Sequence, residues 1–175
     1  MVTDGRRLIL LRHAKSDWAD AETPDAERPL SREGRDACAL IAARVGGGSL
    51  APDLILCSSA LRTRQTLARI APALPAEVPV LTEERLYLAS PDELLARLRE
   101  VDDGVPTILV VGHNPGIHAL AVGLLAPSER GKVPTFPTAA LAVLDLGTRR
   151  WAELGPASTR LVSYDTPRTL RHSPS

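Results

Sequence analysis

Two histidines and their neighbouring arginines carry the chemistry this sequence could perform. Arg12-His13 follows an apolar run at 8–11, and His113 lies in Gly112-His113-Asn114-Pro115-Gly116, after a second apolar run at 107–111. A neutral imidazole is a competent nucleophile toward phosphorus. Nearby guanidinium groups hold it neutral by disfavouring a second positive charge, and they bind phosphoryl oxygens bidentately. Arg62 stands in Ser58-Ser59-Ala60-Leu61-Arg62-Thr63-Arg64-Gln65-Thr66, at the opening of a helical pattern whose first N–H groups add an anion site. Two histidines with arginines and no carboxylate cluster suit phosphoryl binding better than metal binding, so neither a metal nor another cofactor is expected. Taken one at a time, each residue has an ordinary alternative. A strand-end histidine is commonly a core or surface residue, a basic helix start is commonly solvated, and His113 could be a loop histidine beside a capping Asn114. His118 and His172 read as structural or solvated.

The elements around these residues alternate. Residues 8–11 form a continuous apolar run of the kind found in strands covered on both faces. Ser31 caps a helix with Ala37, Leu40, Ile41 and Val45 on one stripe, ended by Gly46-Gly47-Gly48. Residues 53–57 read as a second strand, 60–70 as a second helix, and 78–81 as a peripheral strand framed by prolines. Ser90-Pro91-Asp92-Glu93 is a helix start with cap, N1 proline and capping-box glutamate. Strand 107–111 is followed by a helix carrying Ile117, Leu120, Ala121 and Leu124. Two closing strands, 141–146 and 151–154, read as a hairpin across Gly147-Thr148-Arg149-Arg150. The expected fold is a three-layer α/β/α sandwich, with a mostly parallel central sheet and an antiparallel edge strand. In such sheets ligands bind beyond the carboxyl ends of the strands. That rule gathers Arg12, His13, Lys15, Arg62, Arg64, Glu83, Glu84 and His113 on one rim.

Composition bounds the reading. The chain has 175 residues with 21 basic and 21 acidic side chains, so its formal charge is zero, without the electrostatic footprint of a nucleic-acid binder. Five aromatics (Trp18, Tyr87, Phe136, Trp151 and Tyr164) are too few for a base-stacking platform. No apolar run reaches the ~18 residues of a spanning helix, so no membrane partner is expected. Arg6-Arg7 precedes only four apolar residues, too few for a twin-arginine signal. Cys38 and Cys57 form no C-x-x-C pair and read as buried reduced thiols of a cytoplasmic protein. Residues 1–165 read as a single domain and 166–175 as a flexible C-terminal tail.

Read together, the pieces resemble a known family. Leu11-Arg12-His13-Ala14-Lys15, the stretch from Ser58 to Thr66, and Gly112-His113-Asn114-Pro115 are similar to the histidine phosphatase (phosphoglycerate-mutase-like) superfamily. Arg28-Pro29-Leu30-Ser31-Arg32-Glu33-Gly34 and Phe136-Pro137-Thr138-Ala139-Ala140 resemble its short SixA-type phosphohistidine phosphatase branch. Five such motifs in order, at matching strand ends, are far more specific than any one tripeptide. The resemblance runs from about residue 7 to 145. It implies that His13 is the phosphorylated nucleophile, that Arg12, Arg62 and His113 complete the phosphate pocket with Asn114 beside them, and that a phosphohistidine intermediate is hydrolysed by water without metal. The third position of the usual R-H-G signature is Ala14 here. Lys15, Ser16 and Asp17 follow at the pocket mouth without transferable roles.

The wider family often uses a carboxylic acid to protonate an alkoxide leaving group. The matching region offers Glu83 and Glu84, of which Glu84 is the candidate general acid; both are otherwise solvated loop carboxylates. Resemblance to the SixA-type branch implies that this acid is dispensable, since phosphorylated imidazole is already a good leaving group. Short loops leave no lid, so the expected substrate is phosphohistidine on a protein. The alternatives are a small phosphate ester handled by a phosphomonoesterase or mutase of the same fold, and a phosphoprotein-binding module without catalysis.

Overall fold

The apolar runs become the interior of one six-stranded sheet. The structure, a computed structural model, describes residues 5–173. Strands β1 (Arg6–Arg12), β2 (Leu54–Ser58), β3 (Val80–Glu83) and β4 (Thr107–Gly112) run parallel. Strands β5 (Leu141–Gly147) and β6 (Arg160–Asp165) close the sheet by antiparallel pairing, in the order β3-β2-β4-β1-β5-β6. Side chains alternate across a strand, so Leu8 and Leu10 enter one core while Ile9 and Leu11 enter the other. Helices α1 (Arg32–Val45), α2 (Leu61–Ile70) and α5 (Pro167–Arg171) lie on the Ile9 side; α3 (Pro91–Arg99) and α4 (Gly116–Leu124) lie on the Leu8 side. This is the three-layer α/β/α arrangement. Its helix starts are those written in the sequence: Ser31 accepts from the Gly34 N–H, and Ser90 and Glu93 form a complete capping box.

Two expectations change at the C-terminal end. The hairpin over 141–154 does not form: residues Trp151–Glu153 make a single 3-10 turn, and β5 pairs with β1 on one side and β6 on the other. Trp151 is fully buried, and its indole N–H donates to the Val105 carbonyl at 2.8 Å. The apolar residues that resembled a strand are thus spent plugging the core. Residues Pro167–Arg171, within the stretch read as a tail, form the short helix α5. Thr166 caps α5, Leu170 packs on the core, and Arg44 pairs with Asp165 at 2.8 Å just before the cap. Pro174 and Ser175, at the end of the expected tail, lie outside the described residues. Strand β3 sits at the sheet edge, shifted two residues from the expected 78–81, with Val80 and Leu81 exposed. Among the described residues no helix is long and apolar enough to cross a membrane.

The register positions the chemistry. Adjacent parallel β1 and β4 align Arg12 with Gly112. The next residue of each strand is a histidine, so the pairing alone sets His13 beside His113.

Candidate active site

The two imidazole rings lie with centroids 5.3 Å apart at the carboxyl ends of β1 and β4. His13 is held from both sides: its N–H donates to the Gly112 carbonyl and its own carbonyl accepts from Ala139. Its Nδ1 lies 2.7 Å from the Ala14 carbonyl oxygen. A carbonyl can only accept, so Nδ1 carries the hydrogen and Nε2 keeps its lone pair. Burial, with the Arg62 and Arg12 charges, lowers the His13 pKa to about 4, against the raising effects of its Ala14 hydrogen bond and of Asp25. His13 is therefore neutral at physiological pH, with a defined tautomer and a free nucleophilic nitrogen. Burial is a larger cause of that neutrality than the arginines that sequence reasoning credited.

His113 has the complementary arrangement. Its Nε2 is 2.7 Å from Ser58 Oγ, which also accepts from the Ala60 N–H. The hydroxyl can then donate to Nε2, an arrangement that places the hydrogen of the neutral ring on Nδ1. That Nδ1 is buried and has no hydrogen-bond partner among the described residues. Burial, followed by His13 and Arg62, lowers the His113 pKa to about 3. A neutral imidazole with a free N–H is a donor suited to a phosphoryl oxygen. This use of Ser58 escaped sequence reasoning, which saw Ser58 only as part of a basic helix start.

The arginines complete a cationic floor. Arg12 spans to the loop before β5, donating from Nη1 to the Phe136 carbonyl at 3.0 Å, while its buried Nε has no partner among the described residues. Burial and the nearby Arg62 lower the Arg12 pKa. Arg62 is buried at the start of α2 and held by the Asp25 backbone carbonyl at 2.7 Å and the Asp25 carboxylate at 3.0 Å. A hydrogen-bond chain ties the post-β1 loop to α2: Ala14 N–H donates to Thr66 Oγ1, which donates to the Arg62 carbonyl. Two close approaches fix the surrounding backbone. A Cβ on Gly34 would lie 2.1 Å from the Lys15 carbonyl oxygen, and one on Gly116 would lie 1.9 Å from that of Ala89.

Arg12, His13, Arg62, His113 and Asn114 line one cavity of about 210 Å³, together with Lys15, Ser16, Trp18, Leu88 and Thr138. Asn114 does not cap α4, whose N-cap is Pro115. Its amide nitrogen instead donates to the Phe136 carbonyl at 2.8 Å, and its buried Oδ1 has no partner among the described residues. The free group is an acceptor, which suits a water molecule or an N–H better than a phosphoryl oxygen.

Glu84 does not line the cavity: it is exposed, in the 3-10 turn after the edge strand β3, three places from β1 in the sheet. Glu83 is engaged by Arg97 and Arg85. Asp17 does not line the cavity either; its carboxylate accepts from the Ala19 N–H. The carboxylate whose charge acts on both histidines is Asp25. It accepts from the Tyr87 hydroxyl and from Arg62, both of which hold it below the usual carboxylate range. Asp25 opens a short 3-10 turn, Asp25–Glu27, in a polar stretch whose sequence has no helical or strand periodicity, and only tertiary contact reveals it. His118 is structural, bonded to the Val133 carbonyl, and His172 is exposed.

The model of the histidine phosphatase superfamily (branch 1) matches residues 8–87. A protein of Mycobacterium tuberculosis, itself uncharacterised, is 37% identical over 164 residues, spanning 90% of this chain and 100% of the relative. The phosphohistidine phosphatase SixA of Escherichia coli is 29% identical over 164 residues, spanning 89% of this chain and 97% of SixA. Among solved structures, SixA from Nakamurella multipartitia superposes with a TM-score of 0.82 at 32% identity, covering 93% of this chain and 96% of that one.

Proposed function

The chain belongs to the histidine phosphatase superfamily, in its SixA-type branch, and is a phosphatase; from that premise we propose that its substrate is phosphohistidine on a protein and that the phosphoryl group passes through His13. The observation that carries this reading is the state of His13: neutral, with Nδ1–H tied to the Ala14 carbonyl and Nε2 free among Arg12, Arg62 and His113.

Nε2 attacks phosphorus and the P–N bond to the substrate ring breaks. Charge on the phosphoryl oxygens is met by the two guanidinium groups and by the Nδ1–H of His113, donors already in place before reaction. Water then attacks phosphohistidine-13, releasing inorganic phosphate and restoring the neutral ring. The Asn114 Oδ1 is an acceptor available to that water.

Two features support phosphohistidine over an alkyl phosphate. Asp25 is held ionised by Tyr87 and Arg62, so it is a poor proton donor, whereas an alkoxide leaving group gains from an acid. A phosphorylated imidazole, protonated on its second nitrogen, departs as a neutral ring and needs no donated proton. The cavity, at about 210 Å³, is also smaller than the ~300–1,000 Å³ typical of enclosed small-molecule sites, which favours a side chain presented by a larger partner. Burial pushes the free thiols Cys38 and Cys57 up to about 11 and about 12. Inert thiols of this kind accord with the reducing cytoplasm as the site of action.

The test is a rapid-quench reaction with a radiolabelled phosphohistidine protein, run beside a panel of phosphate monoesters. Label should appear on His13, labile to acid and stable to alkali, and turnover of phosphohistidine should exceed that of the esters. His13→Ala should abolish both label and turnover. Label on Ser58, Ser59 or Cys57 would overturn the mechanism, and preferred turnover of an alkyl phosphate would overturn the substrate. Glu84→Gln should leave both activities unchanged.

A further inference from the structure

The floor of the cavity is polar and cationic; its mouth, beside the exposed Lys15, also carries apolar side chains. The described surface exposes five large apolar side chains: Trp18, Val80, Leu81, Leu88 and Val162. Trp18, 65% exposed, and Leu88, 54% exposed, both line the same cavity as His13. Scattered exposed apolar residues need no explanation; two converging on the mouth of a phosphate pocket do.

Both are also held in place. The Arg28 guanidinium lies 4.0 Å from the centroid of the Trp18 ring, and Arg28 is itself buried, donating to the Asp20 carbonyl at 3.2 Å. Stacking of this kind orients an indole that solvent would otherwise leave free. Leu88 has φ of 50°, in the left-handed region that strains a residue with a branched side chain. Such a conformation persists where the flanks over-determine it, and such residues cluster at functional sites. Here the flanks are the buried Leu86 and Ala89, with Tyr87 tied to Asp25.

We propose that Trp18 and Leu88 are specificity residues that grip the ring of the leaving group as it emerges from the cavity, so that the enzyme selects phosphoryl groups carried on a planar ring. This rests on the phosphatase reading above and narrows its substrate class. With the phosphoryl group on the floor among Arg12, His13, Arg62 and His113, the group that carries it lies toward the mouth, where Trp18 and Leu88 stand. A planar imidazole there stacks on indole and meets the leucine methyl groups. The single methylene of a phosphoserine offers neither residue a comparable surface.

The experiment compares two donors that share the P–N bond and differ in the ring: phosphoramidate, which releases ammonia, and phosphoimidazole. Trp18→Ala, Trp18→Phe and Leu88→Gly are measured on each; glycine tolerates the positive φ while removing the side chain. Trp18→Ala and Leu88→Gly should each lower kcat/KM for phosphoimidazole about tenfold, mainly through KM, as expected for loss of one aromatic or apolar contact. Phosphoramidate turnover should stay within twofold of wild type, and Trp18→Phe should restore most of the phosphoimidazole activity. A parallel fall on both donors, or no fall on phosphoimidazole, would overturn the proposal. Wild-type protein inert toward both donors yet active on a phosphohistidine protein would overturn the proposal that the ring itself is gripped, whereas inertness toward the phosphohistidine protein as well would overturn the phosphatase reading.

Discussion

Replacing Ser58 by alanine removes the hydroxyl that sets which nitrogen of His113 carries the hydrogen. In the native site the Ser58 Oγ–His113 Nε2 contact is 2.7 Å between two buried groups, and it reserves Nδ1–H for the phosphoryl oxygens. A neutral hydrogen bond of this kind contributes about 1–1.5 kcal/mol net, and stranding a buried polar atom raises the cost to roughly 1–3 kcal/mol. In Ser58→Ala the ring hydrogen is free to sit on Nε2, presenting a lone pair to the phosphoryl group. At 1.36 kcal/mol per decade, a loss of about 1.4–2.7 kcal/mol predicts a 10- to 100-fold fall in kcat/KM. The assay is steady-state turnover of a phosphohistidine peptide, with stability followed by urea unfolding. Cys38→Ala, a buried change on α1 outside the cavity lining, serves as the control: it should lower stability comparably and leave kcat/KM intact. Turnover in Ser58→Ala within twofold of wild type would refute the assignment of the His113 hydrogen to Nδ1.

Other expectations follow from the same geometry. Because the pKa of His13 is lowered to about 4, kcat/KM should hold level from pH 8 to 5 and fall only toward pH 4; a break near 6.5 in the free enzyme would contradict the burial argument. The same shifts make the unfolded chain bind more protons than the native state as pH falls below 6.5. Stability should therefore be full above that pH and be lost progressively down to about 4 and about 3, seen as a falling urea midpoint. Arg62→Ala removes a preorganised donor and should reduce kcat about 10²–10³-fold, and a chelator should leave wild-type activity untouched; metal-dependent rescue of chelated enzyme would show a different chemistry. Gly116→Ala must displace the Ala89 carbonyl from a 1.9 Å clash and should destabilise by about 2 kcal/mol or more in thermal unfolding, whereas Gly123→Ala, with open space around it, should not.

The linear sequence determined the strand-and-helix alternation, the helix caps at Ser31 and Ser90, and the family. Those signals are local: apolar periodicity, a capping hydroxyl, or a short motif at a strand end. It also placed Arg12, His13, Arg62 and His113 on one rim, because parallel strands put their carboxyl ends together whatever their order. It failed at 151–154, where four residues with an apolar majority cannot distinguish a strand from a core plug, and the Trp151–Val105 hydrogen bond decided the matter. It did not show the short helix α5, which owes its place to contacts with residues far away in the chain. The carboxylate facing the histidines comes from Asp25 and not from Glu84, since sheet order sends β3 to the edge while the loop after β1 folds back over Arg62. The proton position on His13 and the hold on His113 are likewise tertiary facts. Each is set by the partner of one ring nitrogen, Ala14 for one and Ser58 for the other, and burial supplies the rest of their neutrality.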